Sequence, residues 1–129
     1  IMKKYIPFLL TLLLLAGCAA PTAQEGTYRQ ITIDEATVMM EEESNYIILD
    51  VRTPEEFSEK HIPGAINIPN ETIGTEEVPE LPDKDQLILT YCRSGNRSKQ
   101  ASEKLVRLGY MNIVEFGGIN DWPGDTVNG

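Results

Sequence analysis

One segment of the 129-residue chain gathers the residue types that nucleophilic chemistry needs. Tyr91-Cys92-Arg93-Ser94-Gly95-Asn96-Arg97-Ser98 sets a thiol at the end of the apolar run Leu87 to Tyr91 and follows it with two arginines. The run has the pattern of a buried strand. Behind it Ala101, Leu105 and Leu108 recur at helical spacing, with Gly109 as the stop. A thiol at the carboxyl end of a parallel strand lies where open α/β sheets place their ligand sites. Backbone N–H groups of the loop and of the first helical turn then face the sulfur. Together with Arg93 and Arg97, the positive end of the helix dipole favours a thiolate and draws a small anion. Gly95 lets the backbone curl tightly around it. The alternative use of the same residues is a buried strand-end cysteine beside two solvated arginines.

The elements that position this loop alternate in type. Thr32 and Glu35 form a capping box, and Ile33, Ala36, Met39 and Met40 continue it as a helix to about Glu43. Tyr46 to Leu49 is a short apolar strand ending at Asp50, and Thr53-Pro54-Glu55-Glu56 turns the chain at once into a second helix. Ala65 to Ile68 reads as another strand, and Asn70 to Asp85 as an acidic loop with one turn of helix. Ile113 to Phe116 is the last strand. Strands alternating with helices predict a single α/β domain with a mainly parallel central sheet and helices on both faces. At this length one hydrophobic core is expected.

Charge narrows the function classes. Twenty acidic side chains against 11 basic ones give a formal charge of −9, which argues against nucleic acid and against adhesion to anionic lipid. Two cysteines and one histidine, far apart, cannot form a Cys/His zinc site or a disulfide framework, and no organic cofactor motif is present. A monomer without metal is the expectation.

The amino-terminal residues read as an address. Lys3 and Lys4 precede an apolar run from Ile6 to Ala16 interrupted only by Thr11, too short to span a bilayer as a helix. Leu15-Ala16-Gly17-Cys18 resembles the lipobox of bacterial lipoproteins, in which cleavage precedes the cysteine and the cysteine is acylated. An ordinary secretory peptide with an incidental cysteine is the alternative. Residues 1–17 are thus expected to be a signal peptide, residues 18–27 a tether lipid-attached at Cys18, and residues 28–129 the domain. The resemblance places the domain outside the cytoplasm, held to a bacterial membrane by lipid alone. With Cys18 acylated, Cys92 is the remaining thiol.

Four stretches resemble the rhodanese-like domain family. Leu49-Asp50-Val51-Arg52 with Glu55-Glu56-Phe57 is similar to its first motif, and His61-Ile62-Pro63-Gly64-Ala65-Ile66-Asn67-Ile68-Pro69 to its second. Cys92 to Ser98 resembles the active-site loop, and Gly117-Gly118 with Trp122 the closing motif. The resemblance implies a sulfurtransferase in which Cys92 accepts a sulfane sulfur from thiosulfate or a persulfide and passes it to a small or protein thiol or another nucleophile. Arg93, Ser94, Gly95, Asn96, Arg97 and Ser98 would bind the substrate anion. Asp50 and Arg52 are expected to support the site by pairing with loops near the cysteine, and His61 to fill a structural turn role. Lys60 departs from the family, standing where glycine commonly precedes the histidine. Two other functions stay open: a non-catalytic lipid-tethered binding module, and a Cys-dependent phosphatase of the same fold. Against the phosphatase, four residues separate Cys92 from Arg97, one fewer than in the phosphatase loop.

Overall fold

The computed structural model describes residues 27–74 and 76–129. The expected signal peptide, Cys18 and nearly all of the tether lie outside the described residues. Among the described residues, five strands form one sheet in the order β1-β5-β4-β2-β3, every neighbouring pair parallel. The strands are β1 (Arg29–Gln30), β2 (Tyr46–Asp50), β3 (Ile66–Asn67), β4 (Leu87–Cys92) and β5 (Ile113–Gly118). Three helices connect them: α1 (Ile33–Glu42), α2 (Pro54–Glu59) and α3 (Asn96–Arg107).

Local chemistry explains where the helices start. Thr32 Oγ1 accepts from Glu35 N while Glu35 Oε1 accepts from Thr32 N, and Thr53 repeats the device with Glu56 around Pro54. α3 has no side-chain cap and starts instead from Gly95 at φ 110°, a left-handed conformation that suits glycine. Gly109, at φ 101°, ends it.

Strand periodicity divides the core in two. Leu49, Ile88 and Ile113 point to the face covered by α3, where they pack with Ala101 and Leu105. Ile48, Leu89, Tyr91, Val114 and Phe116 point to the other face, against Ala36, Met39 and Phe57 of α1 and α2. Cys92 belongs to the α3 face, in step with Ile88.

The strands and helices expected from the sequence are present, with boundary differences of one or two residues. β1 is an addition: two exposed polar residues that pair with β5 through Arg29↔Val114 and Gln30↔Glu115. The acidic connection contains a 3-10 turn at Asn70–Thr72. All strands being parallel, their carboxyl ends lie along one edge, and there β4 delivers Cys92 opposite Gly118 of β5.

Candidate active site

Cys92 is the last residue of β4, is unpaired, and is only 1% exposed. The chain then curls back over it. Gly95 N donates to Cys92 Sγ at 3.0 Å, and the S–H of Cys92 faces Ser98 Oγ at 3.4 Å. The first N–H groups of α3 have no intrahelical partner, so the helix offers its positive end beside the sulfur. Arg93 and Ser94 are exposed on the rim of this loop.

The two arginines are not free. Both close on Glu56, which sits in the first turn of α2. Arg97 Nη1 donates to Glu56 Oε1 at 2.8 Å and its Nη2 to Oε2 at 3.1 Å, while Arg93 Nε reaches Oε2 at 3.1 Å. The hydrogen bonds from Arg97 hold the Glu56 carboxyl far below the usual carboxylate range. Thr53 and Arg93 assist, against the opposing effect of burial. Arg97 is raised by the same pairing and also feels the charge of Cys92. Two guanidinium groups share one carboxylate, so this three-residue clamp carries one net positive charge, and α2 is held to the loop.

Room for the loop is made by Gly118. Its φ of −146° is ordinary extended backbone, so space is the reason for glycine. An added Cβ would overlap the Arg93 carbonyl and stand 2.6 Å from Ser94 N. Asn120 N donates to that carbonyl at 3.1 Å, fixing the far side of the loop. Beside Ser94 a cleft opens toward the start of α1, with Ile33 and Phe116 as its apolar lining and Asp34 and Asp121 as its acidic one.

Beneath the loop is a polar layer. Ser98 is fully buried, and its hydroxyl donates to Glu115 Oε2 at 2.6 Å, which also accepts from Gly117 N at 3.0 Å. Glu115 is itself 2% exposed. One turn further along α3, the Thr90 and Ser102 hydroxyls satisfy each other at 2.8 Å.

A family model described as Rhodanese-like domain matches residues 32–125. The chain belongs to the rhodanese-like domain family. It is 37% identical over 81 residues to the thiosulfate sulfurtransferase PspE of Escherichia coli, covering 63% of this chain and 78% of that protein. It is also 36% identical over 95 residues to the adenylyltransferase and sulfurtransferase UBA4 of Candida albicans, of which it spans only 22%. The structure titled rhodanese with anions from E. coli superposes with a TM-score of 0.59 at 36% identity, covering 65% of this chain and 99% of that one.

The rhodanese-like loop gathers Cys92, Arg93, Ser94, Gly95, Asn96, Arg97 and Ser98, but with different orientations. Ser98 turns inward beneath the loop, its hydroxyl between Cys92 Sγ and Glu115 Oε2. Asp50 and Arg52 do not reach the cysteine loop. They pair with each other at 2.6 Å, because a strand-end carboxylate two residues ahead of an arginine closes locally. Asp50 further accepts from Tyr91 Oη at 2.6 Å, and Arg52 donates to the Lys60 carbonyl at 2.7 Å. Burial pushes the Tyr91 hydroxyl well above its usual range, with the Asp50 hydrogen bond adding to it. This network lies on the face opposite Cys92. His61 stacks on Phe57 at 3.7 Å, and its Nδ1 meets the Phe57 carbonyl at 2.9 Å. Its backbone bridges to Val127.

Glu56 and Glu115 were not singled out by sequence reasoning. Glu56 was absorbed by its local role as the third residue of a capping box. Glu115 did carry a signal, an acid in the middle of an apolar strand, where a charge needs a purpose.

Proposed function

We propose that the domain is a sulfurtransferase that works through a persulfide on Cys92, with thiosulfate or a low-molecular-weight persulfide as donor. The observation that carries the reading is the placement of Cys92 Sγ, which takes a backbone N–H from Gly95 under a loop whose Arg93–Glu56–Arg97 clamp carries one net positive charge. Likeness to a thiosulfate sulfurtransferase supports the choice of donor.

The thiolate of Cys92 attacks the outer sulfur of thiosulfate. A new S–S bond forms, the old one breaks, and sulfite departs with the electron pair. The positive clamp draws the dianion in, and the loop N–H groups with the start of α3 stabilise the sulfur that receives charge. A nucleophile such as cyanide or a thiolate then takes the outer sulfur of the persulfide and restores the Cys92 thiolate. Neither half-reaction needs a metal or an external redox partner.

Intact mass spectrometry after thiosulfate treatment tests this. The domain should gain one sulfur atom, cyanide should remove it, and Cys92→Ser should gain none. Absence of the gain in the folded wild type refutes the reading. For location, the lipobox-like Leu15-Ala16-Gly17-Cys18 supports an acylated Cys18 and an extracytoplasmic domain. Fatty-acid labelling should be lost in Cys18→Ala, and equal label in both proteins overturns that placement.

A further inference from the structure

Glu115 is a buried carboxylate whose partners are neutral. Its Oε2 accepts from the Ser98 hydroxyl and the Gly117 N–H, and no ion pair among the described residues reaches it. A charge held in the interior without a counter-charge is costly, which makes such a group a ready acceptor for a proton. A proton source lies two contacts away. The Cys92 S–H faces Ser98 Oγ at 3.4 Å, and Ser98 Oγ stands 2.6 Å from the carboxylate. Ser98 has one proton and four neighbours able to accept it: Glu115 Oε2, the Gly95 carbonyl at 3.1 Å, the Gly117 carbonyl at 3.4 Å, and the sulfur. The short contact to an ionised oxygen takes that proton, leaving a lone pair of Oγ turned toward the thiol.

We infer that Glu115 is a positioning residue that takes up the Cys92 thiol proton through the Ser98 hydroxyl. The inference rests on Cys92 being the nucleophile. The proton on sulfur moves to Ser98 Oγ as the serine proton moves to Glu115 Oε2. The product is a thiolate, an intact serine hydroxyl and a neutral carboxylic acid. No bond other than these is exchanged and nothing is oxidised. One negative charge is present before and after, but it moves from a place with neutral partners to one facing Gly95 N–H, the start of α3 and Arg97. Other charged and titratable groups around the pair are Arg93 and Glu56 of the clamp, Glu71, which acts on Arg97, and Tyr28, which feels both Glu115 and Glu103.

The test is the pH profile of Cys92 alkylation by iodoacetamide, which reads the thiolate whether or not sulfur is transferred. Two groups sharing one proton give a thiolate fraction independent of pH between their macroscopic titrations, so the wild-type rate should show a level region in its pH profile. Glu115→Gln should lose the level region and fall about tenfold per pH unit across it. Ser98→Ala should share that profile, and Ser98→Thr, which keeps a hydroxyl, should restore the level. If Glu115 were only a fixed buried charge, Glu115→Gln would remove a negative neighbour and alkylation across that part of the profile would speed up. That acceleration, or a profile identical to wild type, overturns the inference. Should Glu115→Gln fail to fold, the two Ser98 variants decide. A missing sulfur gain by mass with a level wild-type profile refutes the transferase reading alone.

Discussion

Replacing Gly118 by alanine should disable the loop without touching any group that does chemistry. The new Cβ would meet backbone, not a flexible side-chain tip. It overlaps the Arg93 carbonyl and lies 2.6 Å from Ser94 N, where ordinary contact begins at 3.4 Å. The loop must retreat by roughly 1 Å, and a displacement of that size at a reacting centre costs about 100-fold in rate. Overpacking adds a loss of about 1–3 kcal/mol in stability. Gly64→Ala is the control: at φ 88° with nothing within 4 Å of its added Cβ, it should cost about 1–2 kcal/mol through backbone strain alone. The assays are thermal unfolding together with thiosulfate:cyanide transfer and Cys92 alkylation at fixed pH. Both variants should lose comparable stability, while only Gly118→Ala loses kcat/KM and slows alkylation. Wild-type rates in a folded Gly118→Ala protein would refute the claim that this glycine makes room for the loop.

Further consequences concern charge and specificity. Because Glu56 is held below the 4.5 of a free carboxyl, chiefly by Arg97, its stabilisation is complete above about pH 4.5 and is lost as the pH falls toward its folded value. Urea unfolding should therefore show wild type losing about 1 kcal/mol more than Glu56→Gln between about pH 6 and pH 3. Parallel losses would contradict it. Tyr91→Phe leaves Ile62 N–H without its acceptor at 3.1 Å and Asp50 short of a donor. It should cost about 1.5–3 kcal/mol in denaturant yet leave alkylation of Cys92 unchanged, since Tyr91 faces the other side of the sheet. A parallel drop in alkylation would show the two faces to be coupled. Finally, four residues separate Cys92 from Arg97 and Gly95 N closes on the sulfur at 3.0 Å, a loop whose size favours an added sulfur atom over a phosphoryl group. Hydrolysis of an aryl phosphate should be negligible, and Cys92-dependent phosphate release would move the protein to another reaction class.

What the sequence discloses is set by how local each interaction is. Both capping boxes, Pro54 and Gly109 act within a few residues, so helix starts and the end of α3 can be read directly. Leu87 to Cys92 announces itself as a buried strand because both faces are apolar, and with it the loop that carries Cys92. β1 carries no such pattern: Arg29 and Gln30 are polar and exposed, and only the edge of β5 makes them a strand. The partnership of Glu56 with Arg93 and Arg97 spans 37 and 41 residues, and no spacing rule could join them. Asp50 and Arg52 show the reverse error, for a pair two residues apart satisfies itself where long-range partners were expected. Ser98 sits among residues that line a rim, but as the third residue of α3 it turns under the loop, and helical geometry decides its direction.

The register of β1 against β5 also sets an order of events. Arg29 finds its partner in Val114, so the first strand of the domain is held by the last. A chain made amino end first has β2, β3 and β4 in hand before β5 exists, and until then Tyr28 to Gln30 have nowhere to bind. Closing a loop of that length costs conformational entropy before any contact is returned, and contacts so distant in sequence slow folding. The sheet therefore completes late and from its centre outward, with β4 accepting β5 and β5 accepting β1. A nascent chain interrupted before Ile113 exposes the β4 edge and the unfinished side of the core, a state prone to sticking to others of its kind.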